Sequence, residues 1–136
     1  MDQHCFPIGA FAVIFNERDE VLLAHRRDKD LWNLPGGKVE AGESPWDATI
    51  REAREEIGVD IEIRKLAGVY WKPERGELVF SFLCDIIRGA PTTSNEADEV
   101  RFFSIDAMPE NTSAKQVERI HDVWRERTIC VWKTQR

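Results

Sequence analysis

The sequence predicts an α/β protein in which helices cover a sheet. Three observations carry this reading: two nearly continuous apolar runs close to the start, one sharply bounded amphipathic helix between Ser44 and Gly58, and a further set of strand-like stretches followed by a second helical pattern. Elements interleaved in this order each have a face to bury, and layering helices on a sheet buries them all.

Residues 8–15 are almost all apolar, and Val21 to Ala24 form a second run, with the polar Asn16-Glu17-Arg18-Asp19-Glu20 between them. This reads as two strands joined in a hairpin. Leu31 to Gly37 reads as a loop, because Pro35-Gly36-Gly37 interrupts any regular element. The helix then opens with Ser44 suited to the N-cap, Pro45 to the first helical position and Asp47 to the third. Gly58 suits the position just past its last turn. Trp46, Ile50, Ala53 and Ile57 recur at helical spacing and are expected to form its apolar face. Residues 59–70 and 78–87 read as strands around the turn Lys72-Pro73-Glu74-Arg75-Gly76, and Val100 to Phe103 as a short strand. A second amphipathic helix begins near Ser113, with Val117, Ile120, His121 and Trp124 on one face.

At 136 residues the chain has the size of one domain, taken as 1–136. A 42% hydrophobic share excludes the composition of a disordered chain. No apolar run approaches the roughly 20 residues that span a bilayer, so no membrane partner is expected. Met1-Asp2-Gln3-His4-Cys5 has no basic region leading into an apolar one, and so does not read as a signal peptide. Cys5, Cys84 and Cys130 are odd in number and lack metal-ligand spacing; free thiols and a cytoplasmic location are the expectation. The net charge of -6 gives no general attraction for nucleic acid, which argues against duplex binding. If the protein handles phosphates, it needs clustered basic side chains or a bound divalent cation.

The first helix carries charges that local stability does not explain. Glu52, Glu55 and Glu56 fall within an arc of roughly 100° that is expected to lie opposite the apolar face. Glu52 and Glu56 are a like-charge pair one turn apart, which costs a few tenths, about 0.3 kcal/mol. Glu55 and Glu56 sit in the last turn, where the helix dipole disfavours anions by about 0.3–1 kcal/mol each. A cation held between the carboxylates would account for them. The bland reading is a salt-bridged surface helix, with Asp47–Arg51 and Arg51–Glu55 as opposite charges at i and i+4.

The same residues resemble the Nudix box. That signature runs Gly, five residues, Glu, seven residues, Arg-Glu, an aliphatic, one residue, Glu-Glu, one residue, Gly, an aliphatic. Here it reads Gly37, Glu43, then Arg51-Glu52-Ala53-Arg54-Glu55-Glu56-Ile57-Gly58-Val59, with every fixed identity present and only Ala53 smaller than usual. The lead-in Trp32-Asn33-Leu34-Pro35-Gly36-Gly37 is similar as well. The resemblance implies a Nudix-type α/β/α sandwich with a central mixed sheet, and hydrolysis of a pyrophosphate bond in a nucleoside diphosphate linked to another group. It implies Mg²⁺ or Mn²⁺ on Glu55 and Glu56, helped by Glu52 and the Gly36 carbonyl, with Arg51 pairing with Glu43 and Glu55 to hold the carboxylates. The proton acceptor is Glu52 or an acid in the loop from Thr92 to Asp98 and its neighbour; Glu96 is preferred to Glu99 there, with Asp98 between them.

A small nucleotide-like substrate needs an aromatic surface for its base and cations for its phosphates. Tyr70, Trp71 and Phe82 are candidates for the first, although strand aromatics are usually core. Arg26, Arg27, Lys38, Lys72 and Arg75 are candidates for the second, the pair Arg26-Arg27 and Trp71 being preferred. His25 and His121 read as partly packed side chains. Trp124, Val131 and Trp132 have two open readings, core packing or a homodimer contact. Two other functions remain in view: a sanitising hydrolase for oxidised or noncanonical nucleoside triphosphates, and a Nudix module that senses a nucleotide without cutting it.

Overall fold

The computed structural model describes residues 5–136; residues 1–4, on which the signal-peptide expectation rests, lie outside the described residues. The elements in chain order are β1 (Ile8–Ile14), β2 (Val21–Arg26), β3 (Trp32–Asn33), β4 (Gly36–Lys38), α1 (Pro45–Ile57), β5 (Asp60–Lys72), β6 (Glu77–Arg88), β7 (Ala97–Phe103), a 3₁₀ turn at Ile105–Ala107, α2 (Ala114–Arg125) and β8 (Val131–Thr134). Five strands form a mixed sheet in the order β4-β1-β6-β5-β8, and three form an antiparallel sheet in the order β3-β2-β7. Within the larger sheet β1–β6 and β5–β8 are parallel pairs.

Alternation along β1 distributes the core to both faces. Ala10, Ala12 and Ile14 pack with Ala48, Ala53 and Ile57 of α1. Phe11, Val13 and Phe15 turn the other way, toward Ile120 and Val123 of α2. One helix therefore covers each face, which is the α/β/α sandwich the resemblance implies. Fully buried Leu34, Ile57 and Ile120 each contribute roughly 1.5–3 kcal/mol of burial.

The ends of α1 follow the sequence signals. Ser44 Oγ accepts the Asp47 N–H at 3.0 Å, and Gly58 closes the helix in the left-handed region at φ 69°. Its buried face differs from the expectation: Trp46 is 56% exposed, and the inward residues are Ala48, Thr49, Ala53, Glu56 and Ile57. Trp46 sits in the first turn of the helix.

Four further differences have physical causes. β1 and β2 meet only at the single bridge Phe15↔Val21 and belong to different sheets, so they form no hairpin ladder. Both strands are buried on two sides, and each takes two other partners instead. Asn16 still makes the turn, its Oδ1 accepting the N–H groups of Arg18 and Glu20. The expected loop at 31–37 contains the short strands β3 and β4. On α2 the buried residues are Gln116, Arg119, Ile120 and Val123, because two polar side chains find partners inside the face. Finally, β8 adds a parallel edge strand to β5, leaving Trp132 82% exposed and excluding its core reading.

Candidate active site

The site is built where α1 meets β4. Gly36 adopts φ +150°, and a Cβ there would lie 2.3 Å from the Ala10 carbonyl oxygen, so only glycine lets β4 lie this close on β1. Its N–H points at Glu56 Oε2, 3.4 Å away. A Cβ on Gly37 would sit 3.2 Å from Glu52 Oε1. Two side-chain-free residues thus roof the glutamates of α1.

Glu56 lies beneath that roof at 9% exposure, which corrects the expectation that it faces outward opposite the apolar stripe. Charge patterning places carboxylates in solvent by default, and the bare Pro35-Gly36-Gly37 segment is what makes room for one inside. Burial, then the neighbouring Glu52, push the Glu56 carboxyl up to about 10, with the Gly36 N–H opposing and Glu96 adding to the rise. Glu52, Glu56 and Glu96 each bring a carboxylate oxygen into a group spanning at most 4.8 Å. Glu96, in the loop before β7, is also raised, chiefly by burial and then by Glu52 and Glu55. Glu55 stands outside this group, half-exposed, on Arg51 at 3.1 Å.

Arg51 ties the motif together. Its Nε and Nη2 donate to the two oxygens of Glu43 at 2.7 and 3.1 Å, and its Nη1 to Glu52 at 2.9 Å and Glu55 at 3.1 Å. Glu43 is held below the usual carboxylate range, first by Arg51 and then by the Glu40 N–H. Asp47, expected as an i,i+4 partner, makes no pair with Arg51 among the described residues.

The carboxylates open into a cleft of about 710 Å³. Arg26, Arg27 and Lys29 line it from the end of β2, and Lys72 and Arg75 from the β5–β6 turn. Arg26 is forked onto Asp28, which offsets its charge. Trp71 is not on the cleft wall; it packs edge-on to Phe6 at 5.7 Å, on the face of β5 opposite its neighbour Lys72. Tyr70 is core, its hydroxyl donating to Asp122 at 2.9 Å, and Phe82 is core beside Phe80. Lys38 is exposed and off the lining. Phe11, Asn33 and Gln116 line the cleft unforeseen. Phe11 was hidden in an apolar run, and Gln116 in a helical face whose register the sequence misplaced.

Of the three acids near β7, only Glu96 joins the cluster. Asp98 binds His25 Nδ1 at 2.7 Å, while His25 Nε2 meets Asp30 at 2.7 Å and the ring stands edge-on to Trp32. Glu99 is half-exposed beside Arg101.

A buried carboxylate with two others against it is unfavourable unless a cation compensates. The donors are all carboxylate oxygens, and this set fits a hard divalent ion such as Mg²⁺ or Mn²⁺.

A sandwich that gathers acidic oxygens in a cleft lined with arginine and lysine has the chemistry to hold a divalent cation and phosphate groups together. Residues 6–123 match the family model described as the NUDIX domain, and the chain belongs to the Nudix family. It is a Nudix pyrophosphohydrolase. A Bacillus subtilis (strain 168) protein with the provisional name 8-oxo-dGTP diphosphatase is 35% identical over 102 residues, covering 74% of this chain and 68% of that one. The ADP-ribose pyrophosphatase of Methanocaldococcus jannaschii is 34% identical over 110 residues, covering 76% of this chain and 65% of that one. The crystal structure of an ADP-ribose pyrophosphatase from Streptococcus suis superposes with a TM-score of 0.79 at 26% identity, over 96% of this chain and 100% of that one. Among the described residues, no helix is long and apolar enough to cross a membrane.

Proposed function

We propose that this enzyme hydrolyses the pyrophosphate bond of a nucleoside diphosphate linked to another group, such as ADP-ribose or a nucleotide sugar, with Mg²⁺ or Mn²⁺ as its cofactor. The observation that carries this reading is the meeting of Glu52, Glu56 and Glu96 in one cleft. Glu52, Glu56 and one oxygen of Glu96 would hold the ion, with Glu55 and the Gly36 carbonyl beside them. The ion supplies charge neutralisation at the diphosphate and an activated water. Arg51 fixes Glu52 and Glu55. Arg26, Arg27, Lys72 and Arg75 bring positive charge to the phosphates, which an acidic protein otherwise lacks. Glu96 takes the proton of the attacking water on its other oxygen, because Glu52 is engaged by Arg51 and Glu56 is buried beneath the Gly36-Gly37 segment. A bond forms from that water to phosphorus as the anhydride P–O bond breaks, releasing a nucleoside monophosphate and a second phosphorylated product.

A second reading is the sanitising of oxidised nucleoside triphosphates, favoured by the name of the Bacillus subtilis relative. A panel of ADP-ribose, nucleotide sugars, dinucleoside polyphosphates and nucleoside triphosphates separates the two, assayed with Mg²⁺, Mn²⁺ or chelator. Chelator-sensitive release of a monophosphate from the first two classes is the expected result. Preference for oxidised triphosphates would select the second reading, and nucleotide binding without turnover would point to a sensor.

A further inference from the structure

Glu96 reaches the α1 carboxylates from an exposed loop, and Glu52 and Glu55 repel it, so something must hold that loop in. Two of its ties come from Arg27. The Arg27 N–H donates to the Glu96 carbonyl at 3.1 Å, and Arg27 Nε donates to the Ser94 carbonyl at 2.7 Å. Ser94 is itself the pivot of the turn, its Oγ accepting the N–H groups of Glu96 and Ala97 at 3.2 Å each. The other backbone anchor of the loop, Thr92 N–H to the Ile57 carbonyl at 2.9 Å, lies four residues before Glu96. Arg27 makes no ion pair among the described residues, although it lines a cleft that contains Glu52, Glu56 and Glu96. Its directional donor is spent on a carbonyl.

We infer that Arg27 is a positioning residue for Glu96, a role separate from adding positive charge to the cleft. The inference rests on the reading that Glu96 belongs to the functional carboxylate cluster. The main-chain bond to Glu96 survives any substitution except proline, so the side-chain bond to Ser94 can be removed alone. Lysine is the informative replacement: it keeps the charge but places a methylene where Nε sits.

The test uses the full chain and Mn²⁺ itself as probe, with binding followed by electron paramagnetic resonance and turnover measured on the best substrate of the panel. Arg27→Lys is expected to weaken Mn²⁺ binding and to lower kcat by about 10-fold, with KM nearly unchanged, as the loss of a group supporting a ligand does. In a Glu96→Gln background the same substitution should change neither quantity further, because the two residues act as one unit. Arg27→Met, which loses both the charge and the N–H donor at that position, should match the lysine variant in Mn²⁺ affinity; thermal melting confirms that each variant is folded. Wild-type kcat and Mn²⁺ affinity in Arg27→Lys, a rise in KM alone, or losses that multiply with Glu96→Gln would each overturn the positioning role. A Glu96→Gln variant that itself binds Mn²⁺ and turns over like wild type would instead remove Glu96 from the site. Mn²⁺ binding reads the tie between Arg27 and Glu96 even if no substrate in the panel is cleaved.

Discussion

Arg51 and Glu43 form a two-pronged pair, Nε to one carboxylate oxygen at 2.7 Å and Nη2 to the other at 3.1 Å, across eight residues of chain. The pair joins the loop that leads into α1 to the middle of the helix, and the third nitrogen remains free to hold Glu52 and Glu55. A planar fork does all of this at once; a point charge satisfies one partner at a time.

Arg51→Lys is therefore expected to lower kcat by about 10- to 100-fold while the protein stays folded. Steady-state kinetics with circular dichroism as control measures it. Activity within about twofold of wild type would mean that charge alone positions the glutamates.

Glu56→Gln should abolish cation-dependent turnover, and it should also change stability in a pH-dependent way. The folded carboxyl is raised from 4.5 to about 10, so the unfolded chain gives up its proton first. The stability that Glu56 contributes is thus present below pH 4.5 and is lost progressively as pH rises toward about 10. In chelator, the melting temperature of wild type should fall across this window more steeply than that of the variant. Added Mg²⁺ should raise the wild type alone, since only it keeps the charged ligand. Parallel pH profiles would show that Glu56 is not held neutral.

Gly36→Ala should destabilise the fold by about 3 kcal/mol, because a side chain at φ +150° meets the Ala10 carbonyl. Urea unfolding gives the number. Gly42→Ala is the comparison: its φ is also positive, but a Cβ there meets nothing within 4 Å, so it should cost less.

His25 is held above its ordinary value of 6.5, first by Asp30 and then by Asp98. Its contribution to stability is complete below pH 6.5 and is lost as pH rises through the folded value. A ring titration by NMR should report the raised midpoint, and Asp30→Asn should lower it. A midpoint that does not move would mean that the Asp30 contact is absent in solution.

What the sequence revealed, it revealed where local chemistry is self-sufficient. Ser44, Pro45 and Gly58 specify the ends of α1 through their own backbone geometry, and the glutamate spacing marked the site. The inward turn of Glu56 was invisible because it depends on β4, a strand distant enough that only the folded chain brings it close. The same holds for β8, whose pairing with β5 crosses more than sixty residues, and for Trp71, whose neighbour Lys72 took the cleft side of the strand. Periodicity also misjudged α2, since Gln116 and Arg119 are buried through partners that no hydropathy pattern anticipates.

The division of the strands between two sheets has a consequence for how this enzyme can change. Glu52 and Glu56 depend on α1 and on β4 at the edge of one sheet and Glu96 on the loop before β7 in the other, whereas the basic side chains lining the cleft come from the end of β2 and from the β5–β6 turn. Remodelling the β5–β6 rim alters which molecule is admitted without touching the carboxylates, whereas the β2 rim also holds the Glu96 loop through Arg27. The clientele is thus adjustable at one rim without the reaction, and a signature confined to the acidic helix is mute about that rim.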